Sequence, residues 1–203
     1  MEEEKVVQEQ VQATQAKKKR RKRKKEKSLL REIIGWIVYL AFLIIATQFI
    51  ITYLGQRTKV IGDSMEPILH NADHLIVDKV TYRFKNPERY DIIVFPYRYK
   101  EGTFYIKRII GLPGERIQIL EGQVYINGKK LDESYGNEEM KYAGIAETTI
   151  TLGYDEYFVL GDNRNHSSDS RFEDVGVVKK EEFTGRAILR IWPLNSFEII
   201  KHE

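Results

Sequence analysis

The sequence predicts a mainly β domain held to a membrane by one N-terminal helix. Three observations predict it: an uncharged apolar run at 33–54, a basic block just before it, and a succession of short apolar runs broken by Gly, Pro, Asn and Asp from residue 55 onward.

The elements follow in chain order. Residues 1–16, MEEEKVVQEQVQATQA, are polar and without aromatics, too poor in apolar side chains to build a core, and read as disordered. Residues 17–27, KKKRRKRKKEK, hold ten basic residues and one acid, more than the whole-chain excess of +3. The remainder, 28–203, carries 22 Lys and Arg against 25 Asp and Glu, so the alkaline character belongs to the tail alone. Residues 33–54 are 22 uncharged positions, and as a helix rising 1.5 Å per residue they would reach about 33 Å, enough for a hydrocarbon layer of roughly 30 Å. A cleaved signal peptide would have a shorter apolar core and a small-residue end, whereas this run closes on Gln48, Thr52 and Tyr53. Beyond it only Arg57 and Lys59 lie close by, so the basic block orients the span. The reading is therefore a disordered basic cytoplasmic tail at 1–32, a transmembrane helix at 33–54 and an extracytoplasmic domain at 55–203. The lipid bilayer accounts for the polybasic segment, and no nucleic-acid partner is expected.

In the outer domain the expected strands are Lys59 to Ile61, Leu75 to Asp78, Asp91 to Pro96, Thr103 to Ile110, Arg116 to Leu120, Gln123 to Ile126, Thr148 to Thr151, Glu156 to Leu160 and Gly185 to Trp192. Asn127-Gly128 between apolar runs predicts a two-residue hairpin, since both residues tolerate positive φ. Helix is scarce, a turn or two near Lys179 to Phe183. The polar stretch from Asp132 to Ala146 reads as a long surface connection or small subdomain inserted into the β core. The chain has no cysteine, so its core alone must hold the outer domain, and thiol catalysis, iron–sulfur clusters and cysteine-ligated zinc are excluded. His70, His74 and His202 show no ligand spacing, and neither a metal nor a cofactor is expected.

Chemistry gathers at two places. Ser64 lies in Ile-Gly-Asp-Ser-Met-Glu-Pro just beyond the apolar run, and Lys107 in a strand-like segment between Ile106 and Arg108. A hydroxyl is a poor nucleophile until a base takes its proton. A lysine serves as that base only if burial lowers its pKa from about 10.4 towards neutrality. Each residue alone has an ordinary reading, a turn serine and a strand lysine.

Four segments together carry a resemblance: Gly62-Asp63-Ser64-Met65-Glu66-Pro67 with Leu69; Tyr90 to Phe95; Tyr105-Ile106-Lys107-Arg108-Ile109-Ile110-Gly111-Leu112-Pro113-Gly114-Glu115; and Gly161-Asp162-Asn163-Arg164 followed by Ser167, Asp169, Ser170 and Arg171. In this order, behind an apolar span, they resemble the type I signal peptidases, the bacterial Ser/Lys branch of peptidase family S26. The resemblance implies a signal-peptidase-type β-rich catalytic domain that removes signal peptides from preproteins, with Ser64 as nucleophile and Lys107 as general base. It further implies that Ser167 hydrogen-bonds the Lys107 amine and that Asp169 and Arg171 form an ion pair behind the site. Many bacterial relatives carry a hydroxyl two residues before the nucleophile as an oxyanion donor. Here Gly62 stands there, so either backbone alone or a water completes the hole.

The resemblance also implies an extended substrate laid along an exposed strand, with shallow pockets for the small residues of an Ala-x-Ala site, lined by Val60, Ile61, Met65, Leu69, Tyr105 and Ile106. Phe84, Phe95, Tyr97 and Tyr99 are expected at the membrane interface. His166 near Asp169 offers a competing Ser-His-Asp arrangement, but relatives with a histidine base carry it where this chain has Lys107. Two further readings stay open at this point: an inactive anchored scaffold, which loss of Ser64 or Lys107 would mark, and an autoproteolytic repressor-type Ser/Lys domain, which would lack the apolar span.

Overall fold

The computed structural model describes residues 31–49, 55–133, 135 and 138–202. The expectations for residues 1–30 and 50–54, which include the tail and the end of the apolar run, lie outside the described residues. The chain divides into two compact units at Ile50 and Ile51. In the first, helix α1 (Arg31–Phe49) is 19 residues of mostly apolar character, long and apolar enough to cross a membrane, with its large side chains from Ile33 to Phe49 exposed.

The second unit is built on two antiparallel sheets. The larger takes β1 (Gly55–Lys59), β2 (His74–Asp78), β3 (Ile92–Pro96), β4 (Phe104–Gly111), β9 (Glu156–Leu160), β10 (Val178–Lys179) and β11 (Gly185–Trp192) in the order β1-β2-β11-β3-β4-β9-β10, with β12 (Glu198–Ile199) on β11. The smaller takes β5 (Arg116–Leu120), β6 (Gln123–Ile126), β7 (Lys129–Lys130) and β8 (Ile150–Thr151) in the order β7-β6-β5-β8. Period-two alternation explains the burial. In β3, Ile92 and Val94 enter one core cluster with Leu75, Val77 and Ile106, while Ile93 and Phe95 enter another with Ile109, Tyr157 and Val159. Both faces of this strand are covered, which is why it reads as an unbroken apolar run. A third cluster joins Ile117, Ile119, Val124 and Ile126 of the small sheet to Ile110, Phe158 and Leu160 of the large one.

β5, β6, β9 and β11 have the expected bounds, and the Asn127-Gly128 hairpin forms with φ of 53° and 79°, the pair of positive values its turn requires. Other expectations need correction. The first strand runs 55–59 rather than 59–61: Val60 keeps a ladder-like bond from its N–H to the Asp73 carbonyl, but Ile61 is 87% exposed on the turn that opens the Ser64 loop. Pairing at the eighth strand begins at Ile150 rather than Thr148, because a 3-10 turn, Gly144–Glu147, occupies the chain before it. The short helix α2 (Thr81–Phe84) was not expected; the Asp78 carboxylate accepts the Val80 N–H at 2.7 Å and the Thr81 N–H at 3.2 Å and starts its turn. Of the two readings of 132–146, a surface connection or a small inserted subdomain, the described residues there favour the second. Tyr135, Met140 and Ala146 are buried in the cluster over the small sheet.

Removing a fully buried side chain loses transfer energy and leaves a cavity. Leu75→Ala is expected to lower unfolding free energy by about 2–5 kcal/mol, whereas Tyr154→Ala, at a residue 98% exposed, should stay within about 0.5 kcal/mol. Urea denaturation of the two variants checks the contrast.

Candidate active site

Between β1 and β2 the chain makes a loop pinned from beneath by Met65 and Leu69, both buried. The Glu66 N–H donates to the Asp63 carbonyl at 3.1 Å and the Leu69 N–H to the Met65 carbonyl at 2.9 Å, so Ser64 rides on a hydrogen-bonded turn with apolar anchors just after it. Gly62 takes φ of +92° and donates its N–H to Asn71 Oδ1 at 3.2 Å. A second segment, the loop after β9, holds the serine from the side: the Asn163 N–H donates to the Ser64 carbonyl and Asn163 Nδ2 to the Asp63 carbonyl, each at 3.1 Å.

Lys107 lies in the middle of β4, paired across the sheet with Ile93, and is 3% exposed. Its Nζ is hydrogen-bonded to Ser64 Oγ at 2.8 Å and donates to the Ile106 carbonyl at 3.0 Å. Burial pushes its pKa down to about 8; Asp169 and Asp162 pull the other way, and Arg171 again lowers it. Both acids are matched. Asp162 takes Arg108 Nε at 2.8 Å and Nη2 at 2.6 Å, and Asp169 takes Arg171 Nε at 2.8 Å and Nη2 at 2.9 Å. The ring of Tyr105, stacked on Tyr97 at 4.7 Å, stands 5.0 Å from Nζ.

The structure thus brings Ser64 and Lys107 together and forms the Asp169–Arg171 pair. Ser167 departs from expectation. It lies beside the site, but its buried Oγ has no hydrogen-bond partner among the described residues, and Nζ bonds Ser64 and the Ile106 carbonyl. Gly161 explains how the loop comes so near. A Cβ there would stand 2.3 Å from Ser167 Oγ and 2.4 Å from the Ser64 carbonyl, so only glycine fits. The Asp169 carboxylate also accepts the Gly161 N–H at 3.1 Å, and with Arg171 it is committed to this loop rather than to His166.

A cavity of about 520 Å³ opens beside the dyad, lined by Val60, Ile61, Met65, Phe104, Tyr105 and Ile106 together with Ser64 and Lys107. Leu69, expected in this lining, is instead wholly inside the core cluster that contains Met65. Phe104, Thr103, His166 and Ser168 line it unforeseen; the edge position of β4 just before Tyr105 was the signal for the first two. Of the four aromatics expected at an interface, Phe84 and Tyr99 are exposed, Phe95 is core, and Tyr97 donates its hydroxyl to Asp174. Asp91 is structural, accepting Tyr82 Oη at 2.8 Å and pairing with Arg186 at 2.8 Å. His74 bonds Arg57, and His202 accepts the Ile92 N–H. Among the described residues no three His, Cys, Asp or Glu side chains gather as a metal-binding group.

The family model described as "Signal peptidase, peptidase S26" matches residues 33–192. A probable signal peptidase I-2 of Synechocystis is 41% identical over 70% of this chain and 66% of its own length. Signal peptidase I P of Bacillus subtilis subsp. natto is 35% identical over 81% of this chain and 91% of its own. A crystal structure of a signal peptidase I from Enterococcus faecalis is 37% identical and covers 50% of this chain and 97% of its own, with a TM-score of 0.43. The chain belongs to the signal peptidase family, peptidase family S26.

Proposed function

We propose that this peptidase is a membrane-anchored signal peptidase I that cuts preproteins after small residues of the Ala-x-Ala type with Ser64 as nucleophile and Lys107 as general base. The observation that carries it is a buried amine one hydrogen bond from a loop hydroxyl, Nζ to Oγ at 2.8 Å, at the edge of an apolar cavity.

The chemistry follows from the proton inventory. Neutral Lys107 accepts the Ser64 Oγ proton as Oγ attacks the scissile carbonyl carbon and its C=O pair moves onto oxygen. As the C–N bond breaks, the lysine ammonium gives that proton to the departing amine, leaving an acyl-serine and a neutral base. A water then loses a proton to Lys107, attacks the ester and releases the signal peptide's carboxyl end, and the proton returns to Oγ. The Ser64 N–H is the first donor to the oxyanion, with backbone or a water completing the hole at Gly62. The substrate strand would pair along the cavity edge, where Val60, Ile61, Met65, Tyr105 and Ile106 leave room for small side chains and restrict larger ones.

The apolar helix and the basic block before it support a single span with its N-terminus cytoplasmic, the outer domain at 55–203 being extracytoplasmic. A signal peptide's own apolar helix would then share the bilayer with the enzyme, and both would meet at raised effective concentration.

Purified protein in detergent, given a preprotein with an Ala-x-Ala site and read by mass at the cleaved end, tests the reading. Ser64→Ala and Lys107→Met should each lose at least about 10⁴-fold in kcat, because the two act as one unit. Either variant processing at the unmutated rate would exclude the dyad, and His166→Ala should remain active.

The pH dependence has a fixed sign. Lys107 must be neutral to act, so kcat/KM should rise through about pH 8 to an alkaline plateau. The folded pKa lies below the unfolded one. Between about 8 and 10.5 the unfolded chain therefore binds the extra proton, stability rises with pH across that window, and the burial penalty is complete below it. Relative to Lys107→Met, the wild type should recover stability as pH rises from 8 to 10.5, measured by denaturant titration at several pH values.

A further inference from the structure

The stretch after β7 reaches the catalytic loop through two side chains. Glu133 takes both Nη groups of Arg164 at 2.5 and 2.6 Å, and Arg164 Nε donates to the Gly161 carbonyl at 3.1 Å. Tyr135, 6% exposed, lays its ring 4.2 Å from the guanidinium carbon of Arg108 and 5.9 Å from that of Arg164, and meets the ring of Tyr90 edge-on at 5.4 Å. Arg108 follows Lys107 directly, and its partner Asp162, with both side chains 1% exposed, precedes the Asn163 that holds the Ser64 and Asp63 carbonyls.

We propose that Glu133 and Tyr135 are positioning residues for the reaction, clamping Arg108 and Arg164 so that β4 and the loop at 161–167 hold Lys107 and Ser64 at hydrogen-bond distance. The proposal rests on the Ser/Lys reading above. A buried ion pair, Arg108–Asp162, and a part-buried one, Arg164–Glu133, add little net stability, since desolvation offsets their attraction, but they impose geometry on the segments they join. Tyr135 closes them from water with a ring face that attracts both guanidinium groups. Its Oη has no partner among the described residues, so the ring is the working part. One clamp thereby serves both halves of the dyad, which stand 43 residues apart in the chain.

The test is steady-state cleavage of an Ala-x-Ala preprotein by the full chain in detergent, well below the melting temperature, with hydrogen exchange read at residues 161–167. Tyr135→Ala is expected to lower kcat about tenfold with KM within about twofold, as slight misplacement of a catalytic pair does, and to speed exchange in the loop. Tyr135→Phe keeps the ring and should recover most of the kcat. Glu133→Gln, a milder change, should lower kcat about threefold and serves if Tyr135→Ala does not fold. Unchanged kcat in folded Tyr135→Ala, or in Glu133→Gln where the former is unfolded, overturns the proposal, even if melting falls. Failure of the underlying reading would look different: undiminished cleavage by Ser64→Ala.

Discussion

The 2.8 Å contact between Lys107 Nζ and Ser64 Oγ depends on keeping an amine out of water beside two acids. Burial disfavours the ammonium, but Asp162 and Asp169 favour it, and a site with those carboxylates unmatched would hold a charged lysine unable to accept a proton. Arg108 and Arg171 resolve the conflict by giving each acid a bidentate partner. The ion pairs around the site thus set the electrostatics that let burial dominate, and the fold that buries the lysine is the same fold that seats those arginines.

Backbone geometry sets the other half. β4 places Lys107 in the large sheet, paired with Ile93 of β3 and directly followed by Arg108, where the ladder to β9 begins. The serine has no such strand. It sits on a loop, and its position is borrowed from Met65 and Leu69 beneath and from Asn163 beside it. Gly161 lets the two loops touch, since its missing Cβ is the space that Ser167 Oγ and the Ser64 carbonyl occupy.

Much of this was legible before any coordinates. Alternation of apolar residues located β5 and β6 to the residue, because those strands bury one face, and β9 was located as a short unbroken apolar run, because both of its faces are covered. Ser64, Lys107, Asp169 and Arg171 could be named because their segments are contiguous and chemically distinctive. Where the reading missed, two physical roles demanded the same residue type. Leu69 is apolar whether it lines a pocket or fills a core, and Lys59 to Ile61 looks like a strand whether or not the chain turns at Gly62. The pairing of Asp162 with Arg108 was not legible, because the two stand 54 residues apart and no local pattern ties them. Tyr135 and Met140 were lost in a polar stretch, where two apolar residues without periodicity give no sign of burial.

The most direct measurement is the titration of Lys107 itself. Protein labelled with ¹⁵N at lysine Nζ, with the resonance assigned by its absence in Lys107→Met, reports the protonation of that one amine. An apparent pKa near 8 is the expected result, set by desolvation with its acidic neighbours matched. Titration at about 10.4, the value of an ordinary lysine, would mean that the amine is charged wherever the enzyme works, and Lys107 would then not be the base.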